Sequence, residues 1–228
     1  FAADLNSCNQ TLFLSGKVSG FVNNLSGSAM RFKYLDNTEF IGDIGITGLP
    51  DIQKSYIHFD ADKLSTSVSD LEKFPMPPFD KPTFLKLPVE LIKLGVVSYK
   101  GKFDGFINDF ATYGTFKTNV GFIKTDLRLN SNTKFKNVQY SGSISTANFN
   151  LSKIFPQFKL IGPISLSTKI KGTGLTSKEM DVKFEGMIQS FSFNNFIYNN
   201  VKIDGAFKNK IFNGTILSND TAANFDFS

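Results

Sequence analysis

The sequence predicts an all-β protein built on an antiparallel sheet with one apolar and one polar face. Large apolar side chains and glycines alternate with polar residues in many segments, such as DVKFEGMI at 181–188 and VKIDGAF at 201–207. Successive side chains of a strand point to opposite faces, so this alternation indicates half-buried strands. Turn-forming stretches such as GTGLTSKE at 172–179 separate the strands at intervals of about 8 to 14 residues, which is typical of hairpins.

The composition agrees with strands. Phenylalanine occurs 26 times in 228 residues, tryptophan is absent, and charged residues make up 20% of the chain, below the roughly 25% of ordinary globular proteins. Aromatic residues favour strands, whereas long solvent-facing helices need more charge. A chain of this length is sufficient for one large β domain or two small ones.

About fourteen to sixteen strands are expected from the alternation, with one or two short helices. SVSDLEKF at 67–74 predicts about two helical turns with Ser69 or Asp70 as the cap. FNLSKIFPQF at 149–158 predicts about one turn, which Pro156 ends.

A proline-rich stretch interrupts the pattern. Five of the eight prolines lie in FPMPPFDKPTFLKLP at 74–88, and proline cannot donate to a sheet's hydrogen-bond ladder. We therefore predict one β segment over residues 1–74, a proline-rich connection over 75–84, and a second β segment over 85–228 that continues beyond the last residue.

The positive charge does not indicate a nucleic-acid partner. The net charge is +5 and the pI is near 9.1, but the lysines occur mostly singly, about one per predicted strand. No run of Lys and Arg forms the patch that phosphate binding requires. We expect these lysines to face solvent.

The residues needed for catalysis are scarce, and the sequence argues against an enzyme. His58 is the single histidine and Cys8 the single cysteine, so neither a Ser–His–Asp triad with its usual nucleophile motif nor a zinc site is predicted. His58 is expected to face outward from a strand. Asp51, Asp60 and Asp62 come nearest to a calcium site, but we expect them to be solvated. No catalytic residue, metal or cofactor is predicted.

The apolar face itself is the remaining candidate site. A sheet with one apolar face must bury that face against something, and no predicted helix is long enough to cover so many strands. The sheet can fold on itself or pack on another sheet to make a closed core, or it can form an open groove that offers the face to a ligand. The residues alone leave these alternatives open.

Several phrases resemble the TamB proteins, the translocation and assembly module members of the AsmA-like superfamily in diderm bacteria. They include the NFNL step at 148–151, the phrase FNNFIYNNVKIDG at 193–205, and the repeated glycine followed by alternating apolar residues. The resemblance rests on the order and spacing of these short phrases and covers roughly residues 16–74 and 85–228.

The resemblance implies a long curved β-sheet that forms an open, taco-like apolar groove in the periplasm, within a longer protein anchored in the inner membrane. It also implies two roles, which are conducting phospholipid to the outer membrane and assisting assembly of outer-membrane β-barrel proteins with a barrel partner of the TamA type. Membrane contact is implied only for regions outside this chain. Phospholipid acyl chains would be the ligand.

Apolar residues that share a strand face are the predicted groove lining. Each would contact acyl chains by dispersion and by excluding water. The set comprises Phe184, Ile188, Phe191, Phe193, Val201, Ile203, Phe207, Ile164, Leu166, Ile170, Phe116, Val120 and Phe122, the last three on one predicted strand running from Gly114 to Phe122.

Two other functions fit the same alternation. An open sheet edge could bind unfolded barrel proteins by adding strands, as a chaperone does. A transmembrane β-barrel also has alternating strands, but its aromatic girdles are rich in Tyr and Trp, and this chain has no Trp.

Overall fold

Fifteen strands dominate the computed structural model, which describes residues 12–76, 83–84, 86–87, 89–132, 137–154, 158–174, 179–209, 211–219 and 224–227. The predicted all-β class is confirmed. The strands are β1 Leu12–Phe21, β2 Asn24–Tyr34, β3 Thr38–Thr47, β4 Tyr56–Thr66, β5 Pro75–Met76, β6 Thr83–Phe84, β7 Val97–Phe106, β8 Asp109–Thr118, β9 Gly121–Asn130, β10 Gln139–Asn150, β11 Ile161–Thr173, β12 Asp181–Phe193, β13 Phe196–Lys208, β14 Ile211–Asn219 and β15 Asn224–Phe227.

Thirteen of these strands form one antiparallel sheet in the order β1-β2-β3-β4-β7-β8-β9-β10-β11-β12-β13-β14-β15. The sheet is curled but open and does not close into a barrel, as predicted for the fold class. Twelve strand spacings of about 4.8 Å give it a length of about 58 Å along the curved surface. Each strand runs across this long direction. Directly opposed side chains of successive strands therefore form rows that extend along the length of the sheet.

The sheet runs on past the proline-rich connection, because β4 pairs directly with β7. From here on, the connection means the whole segment between β4 and β7. Its described part carries a four-residue helix, α1 (Val68–Leu71), the short β5–β6 hairpin and a 3-10 helix at Val89–Leu94. The connection lies at one rim of the sheet, where Phe74 packs against Phe32 and Tyr34 of β2.

The cap predicted for α1 is wrong by two to three residues. Ser67 is the N-cap, and its hydroxyl accepts a hydrogen bond from the Asp70 amide at 3.2 Å. The Asp70 carboxylate instead accepts from the Asn37 amide at 2.8 Å and from the Thr38 hydroxyl at 3.1 Å. Burial opposes its charge, but these hydrogen bonds outweigh burial and lower the pKa of Asp70. Asp70 thus ties α1 to the β2–β3 turn.

The second predicted helical turn is a 3-10 helix at Leu151–Lys153. Pro156, the predicted stop, lies outside the described residues. A further 3-10 helix covers Ile52–Lys54. Among the described residues, no helix has both the length and the apolar character needed to cross a bilayer.

The pairing register places one set of residues on a common face across the whole sheet, because directly opposed residues of paired strands share a face. One row of directly opposed residues on this face runs from β3 to β13 and consists of Ile44, Phe59, Phe103, Thr112, Leu127, Gly142, Ile170, Phe184 and Gly205. We call the face that contains this row the inner face and the opposite one the outer face.

The two rims of the sheet differ. One rim is formed by the connection after β4 and by the β8–β9, β10–β11 and β12–β13 turns, and we call it the connection rim. The other is formed by the β7–β8, β9–β10, β11–β12 and β13–β14 turns, and we call it the hairpin rim. The inner face lies between them.

Candidate functional site

The inner face carries no charge. In the described strands of the large sheet, every Lys, Arg, Asp and Glu lies on the outer face by register. Inner positions are apolar residues and glycines, with some Thr, Ser and Tyr, and most of them are half-buried. The strand lysines therefore face outward, as predicted from their spacing.

Charges of the outer face form cross-strand pairs. Lys102 Nζ lies 2.9 Å from Asp60 Oδ2, and Lys63 Nζ lies 2.6 Å from Glu39 Oε2. Both pairs lie at the solvent-facing surface, where water screens the attraction, so they contribute little to stability. The hydrogen bond from Lys63 lowers the pKa of Glu39. The outer face is therefore charged and suited to contact with water, whereas the inner face is apolar and without charge.

His58 and the three predicted aspartates also lie away from the inner face. His58 is on the outer face, as predicted, with Nδ1 2.5 Å from Asp104 Oδ1. Asp60 pairs with Lys102 and Asp62 with Lys100, while Asp51 caps the 3-10 helix at Ile52–Lys54. In the described part of the chain, no three His, Cys, Asp or Glu residues are grouped to hold a metal ion.

Aromatic rings fill the inner face between β3 and β8. Phe59 stacks on Phe103 with ring centroids 5.1 Å apart and meets Phe40 and Tyr99 edge-on at 6.1 and 6.4 Å. Tyr99 continues the cluster to Phe116, with centroids 4.6 Å apart. This part of the inner face packs against itself, as a core does.

Tyr99 shows how closely this aromatic region is packed. It is only 5% exposed, and its hydroxyl lies 2.9 Å from the Thr112 hydroxyl and donates to the Lys102 carbonyl at 2.9 Å. Burial raises its pKa. A Cβ on Gly114 would lie 2.5 Å from the Tyr99 ring, so glycine is required where the ring crosses β8.

Aliphatic side chains line the inner face between β9 and β13 and leave a cavity of 520 Å³. Its wall includes Leu127 and Leu129 of β9, Ile144 of β10, Leu166 and Ile170 of β11, Phe184 and Ile188 of β12, and Ile203 of β13. No charged residue belongs to this wall, all of whose residues are described, and Tyr140 and Thr168 supply its only hydroxyl groups. The cavity is large and apolar enough for a lipid tail or another hydrophobic ligand.

Five of the thirteen predicted groove residues line this cavity and six more lie elsewhere on the inner face. The five are Phe184, Ile188, Ile203, Leu166 and Ile170. The six are Phe191, Phe193, Val201, Phe207, Ile164 and Phe116. Val201 is fully buried, so it has no surface to offer a ligand.

The remaining two predicted groove residues lie off the inner face. The predicted strand from Gly114 to Phe122 is wrong, because β8 ends at Thr118 and β9 begins at Gly121. Val120 lies in the intervening turn and is buried. Phe122 pairs with Lys117 and Ala147 on the outer face and is 45% exposed. The turn reverses the chain, so side-chain parity does not carry across it.

A β-bulge keeps Ile188 and Phe191 on one face although their spacing is odd. Ile188 pairs with Leu166, while Phe191 pairs with Ile164, so β12 has one residue more than β11 over this stretch. The cavity wall also contains three residues outside the predicted set, Leu127, Leu129 and Ile144. The alternation in FIKTDLRL at 122–129 was a usable signal for the first two.

The chain matches no protein-family model, no curated protein sequence and no solved structure. Its fold and site define it as an open, curled all-β sheet with a charge-free inner face.

Proposed function

We propose that the protein is a segment of a periplasm-spanning bridge that conducts phospholipid between the inner and outer membranes and supports outer-membrane biogenesis. The observation that carries this proposal is the inner face, which is free of charge across all the described strands of the thirteen-stranded sheet. The resemblance of the sequence to TamB proteins supports the periplasmic setting and the choice of phospholipid.

A charge-free face that is continuous from strand to strand suits a moving acyl chain. Each exposed CH₂ group costs about 0.8 kcal/mol in water, so a sixteen-carbon chain crossing the periplasm uncovered faces a barrier on the order of 12 kcal/mol. An apolar lining removes most of that barrier. Because no inner position of the described strands offers a charge, the phosphate of a lipid would stay at the rim while its tails lie inside.

The cavity between β9 and β13 is the best place for a tail to rest. Its volume of 520 Å³ falls in the ordinary range of ligand sites, about 300 to 1,000 Å³. Its wall is half-buried already, so a bound tail needs little rearrangement of the protein. The binding would be by dispersion and exclusion of water alone, which favours passage over tight retention.

Photo-crosslinking in living cells tests the proposal. A crosslinking residue at Ile188, in the cavity wall, is expected to capture phospholipid, and one at Ile203, in the same wall on β13, is expected to do the same. Lys202, on the outer face of β13, is the matched control and should capture none. Lipid adducts that are equally frequent at Ile188 and at Lys202 would contradict a conduit along the inner face.

A second candidate function is that of a chaperone-like assembly factor for outer-membrane β-barrel proteins, acting by strand addition. Strand β1 favours it. Among the described residues β1 pairs only with β2, and apolar side chains are exposed on both of its faces, with Leu14 58% and Phe13 55% exposed. An edge of this kind can add a strand from another chain.

Proline substitution separates the two functions. Along an edge strand, successive amides point alternately toward the neighbouring strand and away from the sheet. Of two adjacent residues such as Val18 and Ser19, one therefore has an outward N–H, and proline at that residue removes this N–H without breaking the β1–β2 hydrogen bonds. Strand addition predicts that this variant folds but loses barrel assembly. Ile188→Asp, on the inner face, should leave barrel assembly intact if strand addition is the function, and should abolish lipid capture if conduction is.

A further inference from the structure

The connection rim is one continuous surface from β7 to β13, held together by main-chain hydrogen bonds. The Asn119 amide donates to the Leu94 carbonyl at 2.9 Å, and the Asn150 amide donates to the Val120 carbonyl at 2.7 Å. Further along, the Asn194 amide donates to the Leu160 carbonyl at 2.8 Å. The connection after β4, the β8–β9 turn, the β10–β11 connection and the β12–β13 turn therefore lie side by side.

Large apolar side chains are exposed along this rim. Val89 is 68% and Ile92 is 56% exposed on the connection, and Phe196 and Ile197 of β13 are 67% and 64% exposed. The outward-facing Phe122 belongs to the same surface. Contiguous exposed apolar side chains mark a surface that binds a partner or a membrane.

The charge of the rim is one-sided from the 3-10 helix at Val89–Leu94 to β13. The described residues of this part, 89–96, 117–122, 150–154, 158–161 and 193–197, include four lysines and one glutamate. The lysines are Lys93, Lys117, Lys153 and Lys159, all exposed, and none of them takes part in the ion pairs found among the described residues. Lys117 lies over the ring of Phe122, with Nζ 5.9 Å from the centroid.

The hairpin rim provides the contrast. Its cations at β9 and β13 are matched by carboxylates, since Arg128 lies 3.6 Å from Asp109 and Lys208 lies 2.6 Å from Asp181. These two cations of the hairpin rim are therefore neutralised by neighbouring carboxylates, whereas the four lysines of the connection rim take part in no ion pair among the described residues.

We infer that the connection rim binds the surface of an anionic phospholipid membrane. Aromatic and aliphatic side chains of this kind insert at the boundary between headgroups and acyl chains, and lysines beside them are attracted to anionic headgroups. A protein partner would need an acidic side chain opposite each of the four lysines, whereas an anionic bilayer presents negative charge over its whole surface. The inference is independent of what the inner face carries.

Vesicle flotation with the purified chain tests the inference. Binding is expected to vesicles of mixed phosphatidylcholine and phosphatidylglycerol, with weaker binding to phosphatidylcholine alone. Replacing both Lys153 and Lys159 with Ser should lower the partition coefficient on the anionic vesicles by about 30-fold and leave phosphatidylcholine binding unchanged. Salt at about 1 M should produce a similar loss for the unmodified chain.

Two further variants complete the test. Replacing Phe196 and Ile197 with Ser should weaken binding to both vesicle types by about tenfold or more, because these side chains supply the insertion. The matched control replaces Lys169 and Lys202 of the outer face with Ser and should bind as the unmodified chain does. Failure to bind either vesicle type, or a larger loss in the outer-face control than in the rim variants, overturns the inference.

A different variant tests lipid conduction separately from membrane binding by the rim. Ile188→Asp alters the cavity wall but not the rim, so it should abolish lipid capture by a crosslinking residue at Ile203 inside cells while leaving vesicle flotation unchanged. The two proposals can therefore fail independently.

Discussion

The inner face has two regions that differ in how their side chains pack. Between β3 and β8 it is aromatic, and rings such as Phe59, Tyr99 and Phe103 pack on one another until little space is left. Between β9 and β13 it is mainly aliphatic, and a cavity of 520 Å³ remains. Both regions have the same alternation and the same charge-free inner face. The difference shows that strand pattern sets which face is apolar, while side-chain shape sets whether that face is filled or open.

Breaking the aromatic region at its tightest point should have the largest effect. Gly114→Val places side-chain atoms where Cβ alone is 2.5 Å from the Tyr99 ring and 2.6 Å from the Lys100 carbonyl oxygen. Because backbone cannot yield, we expect a loss of about 3 kcal/mol or more in the free energy of unfolding, measured with urea. The control is Gly45→Ala, whose Cβ would meet nothing closer than 3.9 Å. Equal losses in the two variants would mean that Tyr99 is not held as described.

Truncating one residue in each region sharpens the comparison. Phe59→Ala removes a ring that packs against Phe40, Tyr99 and Phe103, and is expected to cost about 3 kcal/mol. Ile170→Ala, in the cavity wall, should cost only about 1 to 2 kcal/mol, because that side chain already faces empty space. Urea unfolding of both variants measures the difference. A greater loss at Ile170 would show that the aliphatic region is packed in solution.

Acid should weaken the contact between α1 and the β2–β3 turn, which lies beside the aromatic region. There Phe74 packs edge-on against Tyr34, with centroids 5.4 Å apart, next to the helix that Asp70 anchors. The pKa of Asp70 is lowered in the folded protein, so its contribution to stability is complete above the ordinary value of 3.8 and is lost as the pH falls through the lower, folded pKa. Asp70→Asn should cost about 1 to 2 kcal/mol at neutral pH.

The pH profile of unfolding checks the assignment. Asp70→Asn should reduce the loss of stability on acidification below pH 3.8. An unchanged profile for Asp70→Asn contradicts the anchoring role.

Filling the cavity should convert the aliphatic region into one like the aromatic region, with the smallest effect on stability. Leu127→Phe adds a ring beside Ile144 and Ile170, where there is room for it. We expect a change of less than about 1 kcal/mol in the free energy of unfolding, together with about tenfold weaker binding of a fluorescent fatty acid. Thr115→Phe, on the outer face, is the control and should bind the fatty acid normally. Unaltered binding in Leu127→Phe would place the ligand elsewhere.

Much of the fold was predictable because its main signal is local. Alternation along each strand identified the inner-face positions of β11, β12 and β13, including Leu166, Phe184 and Ile203. The same reasoning failed at Phe122, since two residues of turn between β8 and β9 reverse the strand and the alternation through Asn119 and Val120 mimics an unbroken one. It also had no means of detecting the connection rim, which brings together segments far apart in the sequence.

By itself the sequence determined that the chain forms strands, that one face is apolar, and that lysines and carboxylates lie on the other, because a period of two assigns each side chain a face without reference to distant residues. The tertiary structure decided the rest. Whether rings fill the inner face, where the cavity lies, and which turns share a rim all depend on contacts between strands, and the curl that brings those strands together is a property of the whole sheet.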